Sequence, residues 1–239
     1  MRSTEEPRLS TRTTLPGTTA VVGHRGNPAA YPDNSIDGIL HARSVADMVE
    51  IDVRATADGV LVLSHDPSTD GRIVIEHAAD DLPDLARFER LLELVGTFPL
   101  NIEIKNSPQD PDFDPTFDTA MRIADRARPG DLVTCFHWPT VDAIRGAYPD
   151  LATGLLVDRG WDLDGALVAA SERGHRAIAP HWTLVTDPAS IMTAAGDVAI
   201  NVWTVNDDDL ARRLIHGGVS GIITDDPARM RQLVEEADI

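Results

Sequence analysis

From residue 19 onward the chain switches between short apolar runs and longer stretches whose apolar residues fall three and four apart. That switching limits its fold more than any other feature. The first run, Thr19 to Gly23, ends in His24-Arg25-Gly26, and seven more follow, at 49–54, 100–105, 131–136, 152–157, 175–179, 198–205 and 221–224. Helical spacing lies between them. Ile36, Ile39, Leu40 and Val45 form one such face, with Asp33 or Asn34 available as its cap, and Leu85, Phe88, Leu91, Leu92 and Val95 form another. Further helices are expected near 113–127, 140–147, 163–173, 187–195, 207–216 and 227–236. Strands alternating with helices imply a parallel sheet. Eight such units predict an α/β fold, a closed (β/α)8 TIM barrel over residues 19–239. An open doubly wound sheet is the runner-up, but no Gly-x-Gly-x-x-Gly or P-loop follows any strand.

The second unit carries a short β-hairpin insertion. Ala57-Asp58-Gly59 is a turn signal, because Asp-Gly is favoured where φ must be positive. Val60-Leu61-Val62-Leu63 then forms a returning strand that delivers His65-Asp66-Pro67 back to where the first strand ended. Residues 67–81 are polar and turn-rich, with a β-like Ile73-Val74-Ile75.

Composition narrows the class of partner. A formal charge of −18 opposes binding of nucleic acid or anionic lipid through a broad basic face. A phosphate-bearing small molecule is still compatible, because a few local cations reverse the field inside a pocket. No apolar run is long enough to span a bilayer, so no stable membrane anchor is expected. Residues 1–18 are polar and lack a stretch of signal-peptide character; they read as a flexible N-terminal extension of a cytoplasmic protein. Cys135, the one cysteine, lies inside the apolar run Leu132–Phe136 and reads as a buried structural residue. Nothing in the sequence specifies an oligomeric state.

In a (β/α)8 barrel the C-terminal ends of the strands form the active-site mouth. Polar residues collect at those ends: His24 and Arg25; Glu50, Asp52 and Arg54; His65 and Asp66; Glu103 and Lys105; His137; His181; Trp203 and Asn206; and Asp225. A period of two places Glu50, Asp52 and Arg54 on one strand face, and Asn101, Glu103 and Lys105 on another. Glu50, Asp52 and Glu103 would cluster, and three carboxylates so close require a proton or a cation. All-oxygen ligands favour one hard divalent cation, Mg²⁺ or Ca²⁺, with Mn²⁺ also compatible. The competing structural reading pairs the acids with Arg25, Arg54 and Lys105. Lys105 beside such a cation would suit a phosphate, and His24 and His65 supply two groups for acid–base chemistry near neutral pH. His137, His181 and Trp182 are expected on the far side of the mouth, with capping or packing roles equally open.

With His24-Arg25-Gly26, Glu50-Ile51-Asp52-Val53, His65-Asp66, Glu103-Ile104-Lys105, Trp203-Thr204-Val205-Asn206 and Gly221-Ile222-Ile223-Thr224-Asp225 in this order, the chain resembles the glycerophosphodiester phosphodiesterase family from about residue 20 to its C-terminus. The resemblance implies a small-molecule phosphodiester substrate, hydrolysed with a divalent cation to sn-glycerol 3-phosphate and an alcohol. It implies Glu50, Asp52 and Glu103 as metal ligands and His24 and His65 as the acid–base pair. Arg25 and Lys105 would lie at the phosphate, and Trp203 would line the substrate pocket. The chain departs from the pattern in Pro32-Asp33-Asn34, where the family usually has Pro-Glu-Asn, and in a shortened segment after His65-Asp66. Rival readings are a phospholipase D-like barrel acting on lysophospholipids, a catalytically inactive metal-binding barrel, and a metal-dependent aldolase.

Overall fold

The computed structural model describes residues 18–237, so the extension read over 1–18 lies, apart from Thr18, outside the described residues. The apolar runs become parallel strands β1 (Ala20–Gly23), β2 (Met48–Ala55), β6 (Leu100–Ile104), β7 (Leu132–Cys135), β8 (Ala152–Val157), β9 (Ala177–Pro180), β10 (Ala199–Val202) and β11 (Gly221–Thr224). Each pairs with the next, and β1 pairs with both β11 and β2, which closes the barrel. The hairpin strand β3 (Leu61–Leu63) runs antiparallel to β2, with Val53 opposite Leu63 and Ala55 opposite Leu61. Gly59 makes the turn at a φ of +78°, which a side chain would strain. Helices α1 (Ile36–Ala42), α2 (Phe88–Val95), α3 (Asp118–Ala124), α4 (Trp138–Ala147), α5 (Leu163–Arg173), α6 (Pro188–Ala195), α7 (Asp208–His216) and α8 (Pro227–Ala237) lie between and after the strands. Among the described residues no helix is long and apolar enough to cross a membrane.

Strand alternation sorts the core into two layers. Val21, Val49, Ile51, Val53, Ile102, Val133, Leu155, Ile178, Ile200 and Ile222 face outward and pack under the helices. Val22, Met48, Leu132, Leu156, Ala177, Ala179 and Ile223 face inward and fill the barrel. Towards the C-terminal end the inward positions turn polar, with Glu50 and Asp52 on β2. The wall is therefore oil-like outside and charged inside at one end only, a division that a period-two strand makes at no topological cost.

Four local expectations change. Ser35 caps α1, its side chain accepting from Gly38 N, because Asp33 and Asn34 are engaged elsewhere. Leu85 precedes α2, which starts at Phe88. The stretch Ile73-Val74-Ile75 is mostly not strand: β4 (Ser68–Thr69) and β5 (Arg72–Ile73) form a minimal ribbon, and Val74 turns inward to pack with Val62 and Leu82. The helix expected from 113 begins at 118, since Asp114 spends its carboxylate on Thr116 and Thr119 in the approach to α3.

Near the opposite end of the barrel His175 is enclosed, its Nε2 donating to Asp142 Oδ1 (3.0 Å) and its Nδ1 paired with Thr153 Oγ1 (2.8 Å). Burial lowers its pKa, outweighing the raising effect of Asp142, and Arg173 and Arg145 lower it further. The unfolded chain therefore binds a proton more readily than the fold, so His175 lowers stability as pH falls through about 6.5 and below. A His175→Asn variant is expected to be less stable than wild type at pH 8, with the gap narrowing towards pH 5. Thermal melts across that range check this, and a gap that widens on acidification would overturn it.

Candidate active site

The register between β2 and β6 sets Asp52 opposite Glu103 and Glu50 opposite Asn101. Both acidic positions on β2 and the one on β6 thus share the interior face, and one carboxylate oxygen from each lies within 4.8 Å of the others. Glu50 and Asp52 are buried, and Glu103 is nearly so. Their environments differ. Burial, Asp52 and Glu103 push the Glu50 carboxyl well above the usual range, and the Arg25 backbone N–H donating at 2.9 Å offsets only part of this. Burial would also raise Asp52, but Lys105, Arg25 and the Asn34 amide outweigh it and hold Asp52 below its ordinary value. Lys105 Nζ stands 2.6 Å from Glu103 and 3.2 Å from Asp52; desolvation alone would lower its pKa, but these carboxylates hold it raised.

Glu50 Oε1 is buried without a hydrogen-bond partner. An orphaned carboxylate oxygen is costly unless something else binds it. With oxygens of Asp52 and Glu103 beside it, the donor set is all-oxygen and hard, and it fits a divalent cation. Arg54, the third polar residue on the β2 face, does not join the cluster. Its guanidinium turns to Asp110 and Asp112, so of the three cations weighed as counter-ions only Arg25 and Lys105 act there.

The loop from β1 to α1 wraps around these acids. Arg25 adopts a φ of +48°, which aims its N–H at Glu50 and its Nε at Asp52 Oδ2, 3.3 Å away. Its Nη1 donates to Asp33 at 2.8 Å, so the Asp of Pro32-Asp33-Asn34 keeps a carboxylate on the arginine. Gly26, at φ +98°, has no room for a Cβ, which would sit 2.9 Å from the α1 backbone at Gly38 and Ile39. Asn34, also at positive φ, donates to Asp52 Oδ2 (2.8 Å) and accepts from Asp52 N (3.1 Å). Its bond to Asp52 was not read from the sequence, where Asn34 stood only as a candidate helix cap and as the Asn of Pro32-Asp33-Asn34.

The two histidines are held differently. His24 Nδ1 lies 2.6 Å from Asp225 Oδ1, and Asn206 Nδ2 donates to the other Asp225 oxygen at 2.5 Å. The His24 hydrogen bond lowers the Asp225 pKa, against the raising effect of burial, and Asn206 lowers it further. The Asp225 contact is made through Nδ1 and leaves Nε2 outside it. Barrel closure supplies this contact, because β11 returns beside β1 and sets Asp225 next to His24. His65, at the hairpin end, pairs with Asp66 at 2.7 Å in the open, where the two side chains are 40% and 74% exposed. A cavity of about 160 Å³ joins His65, Glu103, Lys105, Asn106 and Phe136.

Trp203 stands across the mouth, its indole N–H bonded to Ala179 O, its ring edge-on to Phe136 (5.4 Å) and His181 (5.0 Å). Trp161 continues this wall, and Trp161 and Trp182 are exposed. His181 bonds Thr183, and His137 precedes α4 and bonds Thr140, so both have local structural partners. Cys135 is buried, and desolvation pushes its thiol up to about 11, which removes it as a nucleophile.

A (β/α)8 barrel whose mouth gathers three carboxylates, two cations and two imidazoles has the equipment of a phosphoric ester hydrolase. The sequence model of the "Glycerophosphoryl diester phosphodiesterase family" matches residues 24–229, and the chain belongs to that family of phosphoric diester hydrolases. Among curated relatives, a glycerophosphodiester phosphodiesterase of Caldanaerobacter subterraneus subsp. tengcongensis is 26% identical over 91% of this chain and 98% of its own length. One from Bacillus altitudinis is 27% identical, covering 91% and 99%. The crystal structure of a glycerophosphodiester phosphodiesterase from Parabacteroides distasonis superposes with a TM-score of 0.80 at 22% identity, covering 93% of this chain and 99% of that one, which bears out the barrel.

Proposed function

We propose that the protein hydrolyses glycerophosphodiesters to sn-glycerol 3-phosphate and an alcohol with the help of one divalent cation. The observation that carries this is the Glu50–Asp52–Glu103 oxygen cluster, with its unpartnered Glu50 oxygen, beside Lys105 and Arg25. The curated relatives are named for this reaction, which supports the substrate class. Glu50, Asp52 and Glu103 would hold the cation, with Mg²⁺, Ca²⁺ and Mn²⁺ as the candidates for an all-oxygen set. When bound, it would act as a Lewis acid on the non-bridging phosphate oxygens.

The chain's own residues do the rest. Lys105 and Arg25 draw charge from the phosphate, and burial makes each contact stronger than it would be in water. One histidine removes a proton from the nucleophile, a water or the glycerol 2-hydroxyl, as a new P–O bond forms. The other gives a proton to the alcohol oxygen as the old P–O bond breaks. A cyclic phosphate formed by the 2-hydroxyl would then be opened by water, so one water is consumed by either route. Asp225 fixes the orientation of His24 and stabilises it when charged. Trp203 would line the pocket on the side of the leaving alcohol.

The test is release of glycerol 3-phosphate from diesters of several alcohols, in chelator and after adding back Mg²⁺, Ca²⁺ or Mn²⁺. Cation-dependent release is expected, and release undiminished in chelator would sink the metal reading. The aromatic wall of Phe136, Trp161 and Trp203 favours one second reading, an alcohol bearing a lipid chain. Lysophospholipids in the same panel separate it, being preferred over water-soluble diesters only if that reading holds.

A further inference from the structure

Arg54 is 2% exposed and uses its whole guanidinium fork. Nε and Nη2 both donate to the backbone carbonyl of His65, at 3.1 and 2.8 Å. Nη1 reaches both carboxylate oxygens of Asp112 at 2.7 Å, and Nη2 reaches Asp110 at 2.8 Å. Five contacts match the five N–H donors that the group possesses. The acceptor side is itself braced: Asn106, buried, donates to Thr140 and to Asp114 O and accepts from Asp114 N. The segment that carries Asp110 and Asp112 is thus tied at its two ends, Asn106 to Asp114, and through Asn106 to α4, and Arg54 ties its middle to the backbone of His65.

His24 is held through its ring by Asp225, which Asn206 braces in turn. Among the described residues the His65 ring bonds only Asp66, and a pair that exposed contributes little to position. Its backbone, by contrast, is gripped by a buried charge, next to the bond from Ser64 N to Asp52 O at 3.1 Å. We infer that Arg54 is the positioning residue of His65: it locks the end of the hairpin to the loop after β6 and so sets the imidazole over the mouth. This rests on the reading of His65 as a proton-transfer group. Arg54 also borders the cavity beside Glu103 and Lys105, but its N–H donors are all spent on protein acceptors, so its effect on turnover is assigned to His65.

Lysine keeps the charge of arginine but lacks the planar fork, so it cannot hold the His65 carbonyl and two carboxylates together. Arg54→Lys is expected to lower kcat roughly 30- to 100-fold, as a misplacement of about 1 Å does. KM and cation binding should stay near wild type. The decisive measurement is a double-mutant cycle with His65→Ala, read in single turnovers. With His65 gone, Arg54→Lys should cost less than about threefold, because the group it positions is absent. The same loss in both backgrounds, or wild-type kcat in Arg54→Lys, overturns the inference. Wild-type kcat in His65→Ala instead overturns the role of His65, and this inference with it. Should Arg54→Lys fail to fold by circular dichroism, Asp112→Asn leaves an acceptor for the guanidinium while loosening the fork. Its smaller loss must likewise vanish in the His65→Ala background, and a loss that persists there counts against Arg54 acting through His65.

Discussion

Replacing His24 or His65 by alanine is expected to lower turnover by about 10²- to 10⁴-fold in each case, the usual worth of a positioned acid or base. Cation content should not change, because the proposed ligand oxygens all come from Glu50, Asp52 and Glu103. Neither substitution empties the core. Asp225 keeps Asn206 when His24 is lost, and His65 is partly exposed. A loss of kcat at constant cation stoichiometry separates proton transfer from metal binding. Normal turnover in both variants would end the two-histidine mechanism.

The second large effect is expected at Glu50, where two measured quantities should move in opposite directions. Glu50→Gln should weaken cation binding by more than the roughly 10- to 100-fold that outer partners of a metal site cost, and turnover should fall with it. Yet without cation the variant should melt at a higher temperature than wild type near neutral pH. The sign follows from linkage: burial, Asp52 and Glu103 raise the Glu50 pKa in the fold, so an ionised Glu50 is held there at a cost that the unfolded chain does not bear. That cost applies above the ordinary carboxylate pKa, and glutamine never incurs it. Excess cation should reverse the order, stabilising wild type and leaving the variant unmoved. Melts with chelator and with Mg²⁺ would decide it. A Glu50→Gln protein that is less stable in chelator would show that the acids are a structural network and not a cation site.

The carboxylate cluster was legible in the sequence because two ligands sit two residues apart on one strand and the third lies on the strand that follows in the barrel. The same period-two rule misplaced Arg54. It shares the strand face of Glu50 and Asp52, but its side chain is long and it lies near the strand's end, where Asp110 and Asp112 draw it away from the acids. Helix starts misled for a related reason. Asp33 and Asn34 are good caps by type, but each has a partner from a distant part of the chain, and Ser35 caps α1 instead.

What the sequence determined by itself is whatever depends on near neighbours. Strand and helix alternate, interior and exterior residues alternate along each strand, and the acids, cations and imidazoles fall at one end of the strands. Those patterns have periods of two and 3.6 residues, so they can be read along a line. Only the tertiary structure decided how the polar groups share their bonds. Closure of the barrel brings Asp225 to His24 across 201 positions. The fold also leaves one oxygen of Glu50 without a partner and turns Arg54 from the acids to the backbone of His65. A buried polar group takes the partner that reaches it in space, and distance along the chain carries no record of that choice.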